Sequence, residues 1–110
     1  MRPNLLLLHV DQLRADHVGW AADSRCPTPQ IDRIARGGAA FTRCLTTNPI
    51  CQPARCALLT GRYSHQIGLL DMSGDLDPRH PTFPRALQRA GYATHTVGKL
   101  HYWQWPWKTP

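Results

Sequence analysis

The sequence of 110 residues predicts an α/β fold with a largely parallel sheet. Three observations predict it. "NLLLLHV", residues 4–10, is a continuous apolar run bounded by Pro3 and by the polar pair Asp11–Gln12. Apolar runs then alternate with helix-like segments along the chain. Finally, chemistry-bearing residues fall just beyond the runs, where sheets of this kind bind ligands.

The elements follow in order. The purity and length of residues 4–10 suit a strand covered on both faces. "PTPQIDRIARGG" predicts a helix with Thr28 as N-cap and Pro29 in the first helical position. Ile31, Ile34 and Ala35 would share one face, and Gly37 would stop it. "AAFTRCLT", residues 39–46, reads as a second strand. After Pro53, "ARCALLTG" predicts a helix ending near Gly61, with Cys56 and Leu59 at the spacing of a buried face. Residues 70–81, rich in Asp, Gly and Pro, read as loop. "TFPRALQRAG" predicts a short helix from Thr82 to a stop at Gly91, and "YATHTVGKLHYW" begins as an alternating strand that breaks at Gly98. Neither an internal repeat nor a linker is visible.

Composition narrows the function classes. The apolar fraction of 42% is that of a globular chain, enough for one small domain or the first part of a larger one. The last ten residues, "HYWQWPWKTP", bring three tryptophans with no element to bury them, which reads as a truncated chain. Thirteen Lys and Arg against seven Asp and Glu leave a formal charge of +6. The arginines are scattered, no nucleic-acid motif accompanies them, and nucleic acid is not an expected partner. Leu5 to Leu8 is too short for a membrane span and too soon interrupted for a signal peptide, so no membrane partner and a cytoplasmic location are expected. The four cysteines are then expected as reduced thiols.

The densest chemistry lies in "NPICQPARCALLTGR". Pro49 and Pro53 bracket Cys51 and hold its approach extended, and Pro53 suits a first helical turn. Cys51 would face unpaired backbone N–H groups and the positive end of a helix dipole, which favour an anion. Arg55 can reach back over the same turn, and its fork of donors matches a tetrahedral oxyanion.

"CQPARCALLTGR" closely resembles the signature of the sulfatase family, within the alkaline-phosphatase-like superfamily. The resemblance runs through "NLLLLHVDQLRADHVG", "TPQIDRIARGGAAFTRCLTTNPIC" and "GYATHTVGKLHYW" in the family's order. It implies that the chain is the N-terminal part of a catalytic domain, residues 1–110 of it, built as an α/β/α sandwich. It implies hydrolysis of a small-molecule sulfate ester, with Cys51 converted to Cα-formylglycine by a maturation enzyme. A hydroxyl of the hydrated aldehyde would be the nucleophile, activated by a divalent cation. The second hydroxyl would let the carbonyl re-form as sulfate departs.

The resemblance also assigns residues. Asp11 resembles the first metal ligand, and calcium is the usual ion. Gln12 and converted Cys51 complete the part of the metal set present here. Gln12 departs from the aspartate of many members and looks more like the branch containing choline-sulfatase-like enzymes and phosphonate monoester hydrolases. Arg55 resembles the residue that orients the formylglycine hydroxyl, and Lys99 and His101 resemble the pair that holds the hydroxyl and the sulfate oxygens. The family's remaining metal ligands, with a further histidine and lysine, come later in its chains.

Blander readings stand beside these. Asp11 is otherwise a strand-end residue, and Lys99 with His101 a solvated strand end. His9 reads as a core histidine, Arg14 with Asp16 as a surface or structural pair, and Cys26, Cys44 and Cys56 as ordinary thiols. A phosphonate or phosphate ester hydrolase, an inactive remnant and a cysteine-based redox or zinc protein are the rival functions. The last lacks a second ligand pair of suitable spacing.

Overall fold

A computed structural model describes residues 2–21 and 26–103. Among them are three α-helices: α1 (Pro29–Gly37), α2 (Cys51–Thr60) and α3 (Phe83–Arg89). Two single 3-10 turns, Ala15–His17 and Ser64–Gln66, accompany them. The tryptophan-rich end, residues 104–110, lies outside the described residues.

All three helices stand where proline and glycine punctuation places them. Thr28 and Thr82 precede α1 and α3, each with a proline in the first turn. Neither threonine caps its helix through the side chain. The Thr28 hydroxyl instead accepts from Gly19 N at 2.7 Å and donates to Asp32 Oδ1 at 2.8 Å, which ties residue 19 to the start of α1. A side chain at Gly19 would collide with the Asp32 carboxylate. Helix α2 begins three residues earlier than expected, at Cys51 rather than after Pro53. Pro53 then sits third, where its missing N–H would have had no partner in the helix. Gly61 ends α2 in the left-handed region, φ 67°, with its N–H donating to Ala57 O at 2.8 Å.

The expected strands are corrected. No strand occurs among the described residues, and residues 4–10, 39–46 and 92–97 carry no strand assignment. A strand exists only through a ladder with a neighbour, and a leucine run covered on both faces needs flanking strands and two helix layers. Leu6 accordingly stands 84% exposed and Val97 99% exposed. The apolar face of α1 is open for the same reason: Ile31 and Ile34 are exposed, since no sheet occurs among the described residues to cover them. His9, expected in a core, is exposed too.

The chain divides into two compact units, residues 1–44 and 45–110, with the boundary inside the run expected as a second strand. In the first unit Val18 is buried, and Arg14 pairs with Asp16 at 2.5 Å on the surface. Hydrogen bonds from Arg14 and His17 hold the Asp16 carboxyl down at about 2. The second unit owns a small core of Cys56, Leu59, Ile67, Leu69 and Leu76, with Tyr102 packed against it. No helix among the described residues is long and apolar enough to cross a membrane.

Cys56 is fully buried, and desolvation pushes its thiol from the ordinary 9.0 up to about 11. The folded state therefore keeps a proton that the unfolded chain releases. That contribution to stability is complete below pH 9.0 and is lost as pH rises through about 11. Urea unfolding should show the advantage of the parent over Cys56→Ala shrinking across this interval. Gly61→Ala should lower stability by about 1 kcal/mol, read from the same midpoints, because alanine at positive φ is strained.

Candidate functional site

The site is built on the N-terminal turn of α2. Asn48 prepares the entry: its Oδ1 accepts from Ile50 N at 2.8 Å, a local turn that leaves Ile50 extended before the helix. The Ile50 carbonyl then accepts the first helical bond, from Ala54 N at 3.0 Å. The N–H groups of Cys51 and Gln52 thus head the helix with no acceptor inside it, and they present a positive end to an anion. Cys51 is half-buried, and its thiol contacts Met72 Sδ at 3.8 Å.

Arg55, one turn on, is 7% exposed. Its Nη1 donates to Lys99 O at 2.7 Å, across 44 positions of sequence. A second link joins the same region, where Leu76 N donates to Tyr102 O at 3.0 Å. Tyr102 also packs on the core that contains Cys56, and burial raises its phenol. Together these contacts dock residues 98–102 on the second unit's core. Three of the residues that the sequence singled out, Cys51, Arg55 and Lys99, are therefore gathered on α2 and the segment bonded to it. The Lys99 side chain is exposed, and its carbonyl is the acceptor for Arg55.

His101 belongs to the same segment and is half-buried. Its Nδ1 is buried without a protein hydrogen-bond partner among the described residues. Its backbone lies at φ 56°, and the only other described non-glycine residue at positive φ is Gln12, at 54°. Holding a residue other than glycine there costs about 1–2 kcal/mol, and such strain concentrates at functional sites. Both outliers are residues that the sequence had already singled out.

Asp11 and Gln12 belong to the first unit, where they form an exposed turn. Carboxylate and amide oxygens are hard donors that suit calcium, so these residues fit a divalent cation in kind. No cluster of three or more His, Cys, Asp or Glu able to hold a metal occurs among the described residues. All four cysteines are free thiols, and the second of the signature pair, Cys56, is core, as its spacing predicts.

Two residues of the site escaped the sequence reading. Gln52 is fully buried, and its Nε2 donates to Gly74 O at 2.7 Å. Met72 lies against Cys51. A polar residue in a helical first turn and a methionine in a loop carry no periodic signal, so neither could be found from pattern.

The family model described as Sulfatase matches residues 3–110. N-acetylglucosamine-6-O-sulfatase of Bacteroides thetaiotaomicron is 35% identical over 91% of this chain and 18% of its own length. Arylsulfatase D of Homo sapiens is 37% identical over 91% of this chain and 19% of its own. Steryl-sulfatase of Mus musculus is 37% identical over 90% and 18%. The chain thus spans about a fifth of the length of the curated relatives it matches. No solved structure matches it.

Arg55→Lys should loosen the docked segment, because an ammonium cannot reproduce the fork that reaches Lys99 O. Hydrogen exchange at the Leu76 amide, bonded to Tyr102 O, should then accelerate about tenfold, the effect of losing roughly 1.4 kcal/mol. Unchanged exchange would mean that Tyr102 packing alone holds the segment.

Proposed function

The chain belongs to the sulfatase family, and from that membership we propose that it supplies the nucleophile side of a centre that hydrolyses sulfate esters. The observation that carries the reading is the convergence at α2: Cys51 heads the helix, and Arg55 clamps the Lys99 segment to it. In this proposal residue 51 is formylglycine, produced from the cysteine by a maturation enzyme. By the family resemblance, Asp11 and Gln12 of the first unit and the converted residue 51 of the second are each residues that would offer oxygen donors to a divalent cation, calcium by the preference of hard oxygen donors. When bound, such a cation would supply Lewis acidity that lowers the pKa of a hydroxyl of the hydrated aldehyde, the group that would serve as nucleophile.

The chain's own residues do the rest. The N–H groups of Cys51 and Gln52 and the guanidinium of Arg55 draw the anionic ester to the start of α2. Arg55, held rigid by its bond to Lys99 O, orients the group at position 51. The Lys99 ammonium and the His101 ring hold sulfate oxygens, and their attraction grows as charge builds on the oxygens of the departing group. Residues 4–10, 39–46 and 92–97, which form no strand here, would become strands of an α/β/α sandwich once the longer catalytic domain supplies ladder partners. The remaining metal ligands come from that domain as well.

Peptide mass spectrometry across residues 39–62 tests the proposal first. After co-expression with the maturation enzyme, residue 51 should have lost sulfur and gained a carbonyl. A persistent thiol would defeat the reading. In the full-length protein, kcat/KM should be higher for an aryl sulfate than for the matching phosphonate ester; the reverse order would favour a phosphonate hydrolase. These 110 residues alone, matured in the same way, should turn over the aryl sulfate far more slowly than a full-length relative.

A further inference from the structure

The reacting position stands at the least secure place in a helix. Residue 51 is the first residue of α2, where backbone N–H groups lack acceptors inside the helix and the first turn frays. Its N-cap, Ile50, makes no side-chain capping bond, so the usual brace is not what holds it. A nucleophile carried on a fraying turn would swing away from its target. Here two amide side chains do the work of a cap, one on each side of position 51. Asn48 Nδ2 donates to Leu70 O at 3.1 Å, and Gln52 Nε2 donates to Gly74 O at 2.7 Å.

Both bonds span the same 22 positions, so residues 70–74 run alongside residues 48–52 in one register. The segment they grip is itself fixed. Leu69 and Leu76, on either side of it, are core residues, and Leu69 N donates to Ser64 O at 3.0 Å. Gly74 is confined, since a Cβ there would come within 2.9 Å of Leu69 Cδ2. Asp71 closes a turn within the segment by accepting from Ser73 N at 2.8 Å. On the helix side, Asn48 Oδ1 also accepts from Ile50 N at 2.8 Å, so one side chain grips both the approach and the segment. Gln52 is fully buried, and its Oε1 is buried with no hydrogen-bond partner among the described residues. The hold of that amide therefore runs through Nε2, and water cannot replace Gly74 O without opening the core.

We propose that Asn48 and Gln52 are positioning residues for the group at position 51: they bracket it and keep the first turn of α2 from fraying. Each acts through the backbone of residues 50–52, which sets the direction of the residue-51 side chain. The proposal deepens the sulfate-ester reading and rests on it for the reaction, whereas the bracket is a property of the fold and can be tested without turnover. Misplacing a reacting group by about 1 Å costs on the order of a hundredfold in rate, so a loosened turn reaches kcat. The Lys99 segment hangs on a separate tie, the bond from Arg55 Nη1 to Lys99 O, so ground-state binding should change far less.

The test uses the full-length protein in two forms. In the unconverted form, hydrogen exchange is read at two amides of α2. Ala54 N donates to Ile50 O at 3.0 Å at the head of the helix, and Gly61 N donates to Ala57 O at 2.8 Å at its end. Asn48→Ala, which removes no core side chain, and Gln52→Met, which nearly keeps the buried volume, should each accelerate Ala54 about tenfold and leave Gly61 unchanged. Equal acceleration at both amides means a general loss of stability and overturns the bracket, as does an unchanged Ala54 rate. In the converted form, turnover of 4-nitrophenyl sulfate is divided by the aldehyde content, titrated with an aminooxy probe. Both variants should then lower kcat about ten- to a hundredfold, with KM within about threefold of the parent. A parental kcat per aldehyde in both variants overturns the positioning role. Should the parent hydrolyse no sulfate ester, the sulfate-ester reading falls, and the Ala54 and Gly61 rates alone decide the bracket.

Discussion

A guanidinium held almost entirely out of water is the constraint on which the second unit depends. Arg55 is 7% exposed, and a buried charge is tolerated only where acceptors replace its hydration. The Lys99 carbonyl is one such acceptor, 2.7 Å away and 44 positions along the chain. To keep it, residues 98–102 must run beside α2, and once there they carry Lys99 and His101 with them. Tyr102 then finds the core, and its carbonyl receives Leu76 N. A requirement of solvation thus becomes an arrangement of candidate catalytic groups.

Helix α2 divides its labour along its length. Its later residues Cys56 and Leu59 enter the core with Ile67, Leu69 and Leu76, which fixes the helix in place. Its first turn keeps the N–H groups and the residue-51 side chain at a partly open end. Burial separates the two cysteines chemically, since Cys56 has its thiol pushed up to about 11 and is kept protonated and inert. Pro53 serves both ends of this division: it costs the helix no hydrogen bond in the first turn, and it is fully buried as packing.

Much of this was legible beforehand, for local reasons. Proline at the start and glycine at the end delimit α1, α2 and α3, because these residues act through their own backbone. The start of α2 was displaced by three residues, since Pro53 is compatible with the third helical position as well as with a place just ahead of the helix. The strands at residues 4–10, 39–46 and 92–97 were legible as apolar runs, but a run becomes a strand only through partners. Gln12 and His101 were found through the pattern of their neighbours; nothing in that pattern foretold that their backbones would be held at positive φ.

By itself the sequence determined which residues are candidates for chemistry and, apart from the start of α2, where the helices begin and end, because side-chain type, proline geometry and glycine freedom are properties of single positions. Tertiary structure alone decided that Arg55 clamps the Lys99 segment, that Gln52 is buried on Gly74, and that Met72 lies against Cys51. Those contacts join residues 21 to 44 positions apart. They follow from which polar groups find acceptors once the core of the second unit excludes water, and no local pattern encodes that.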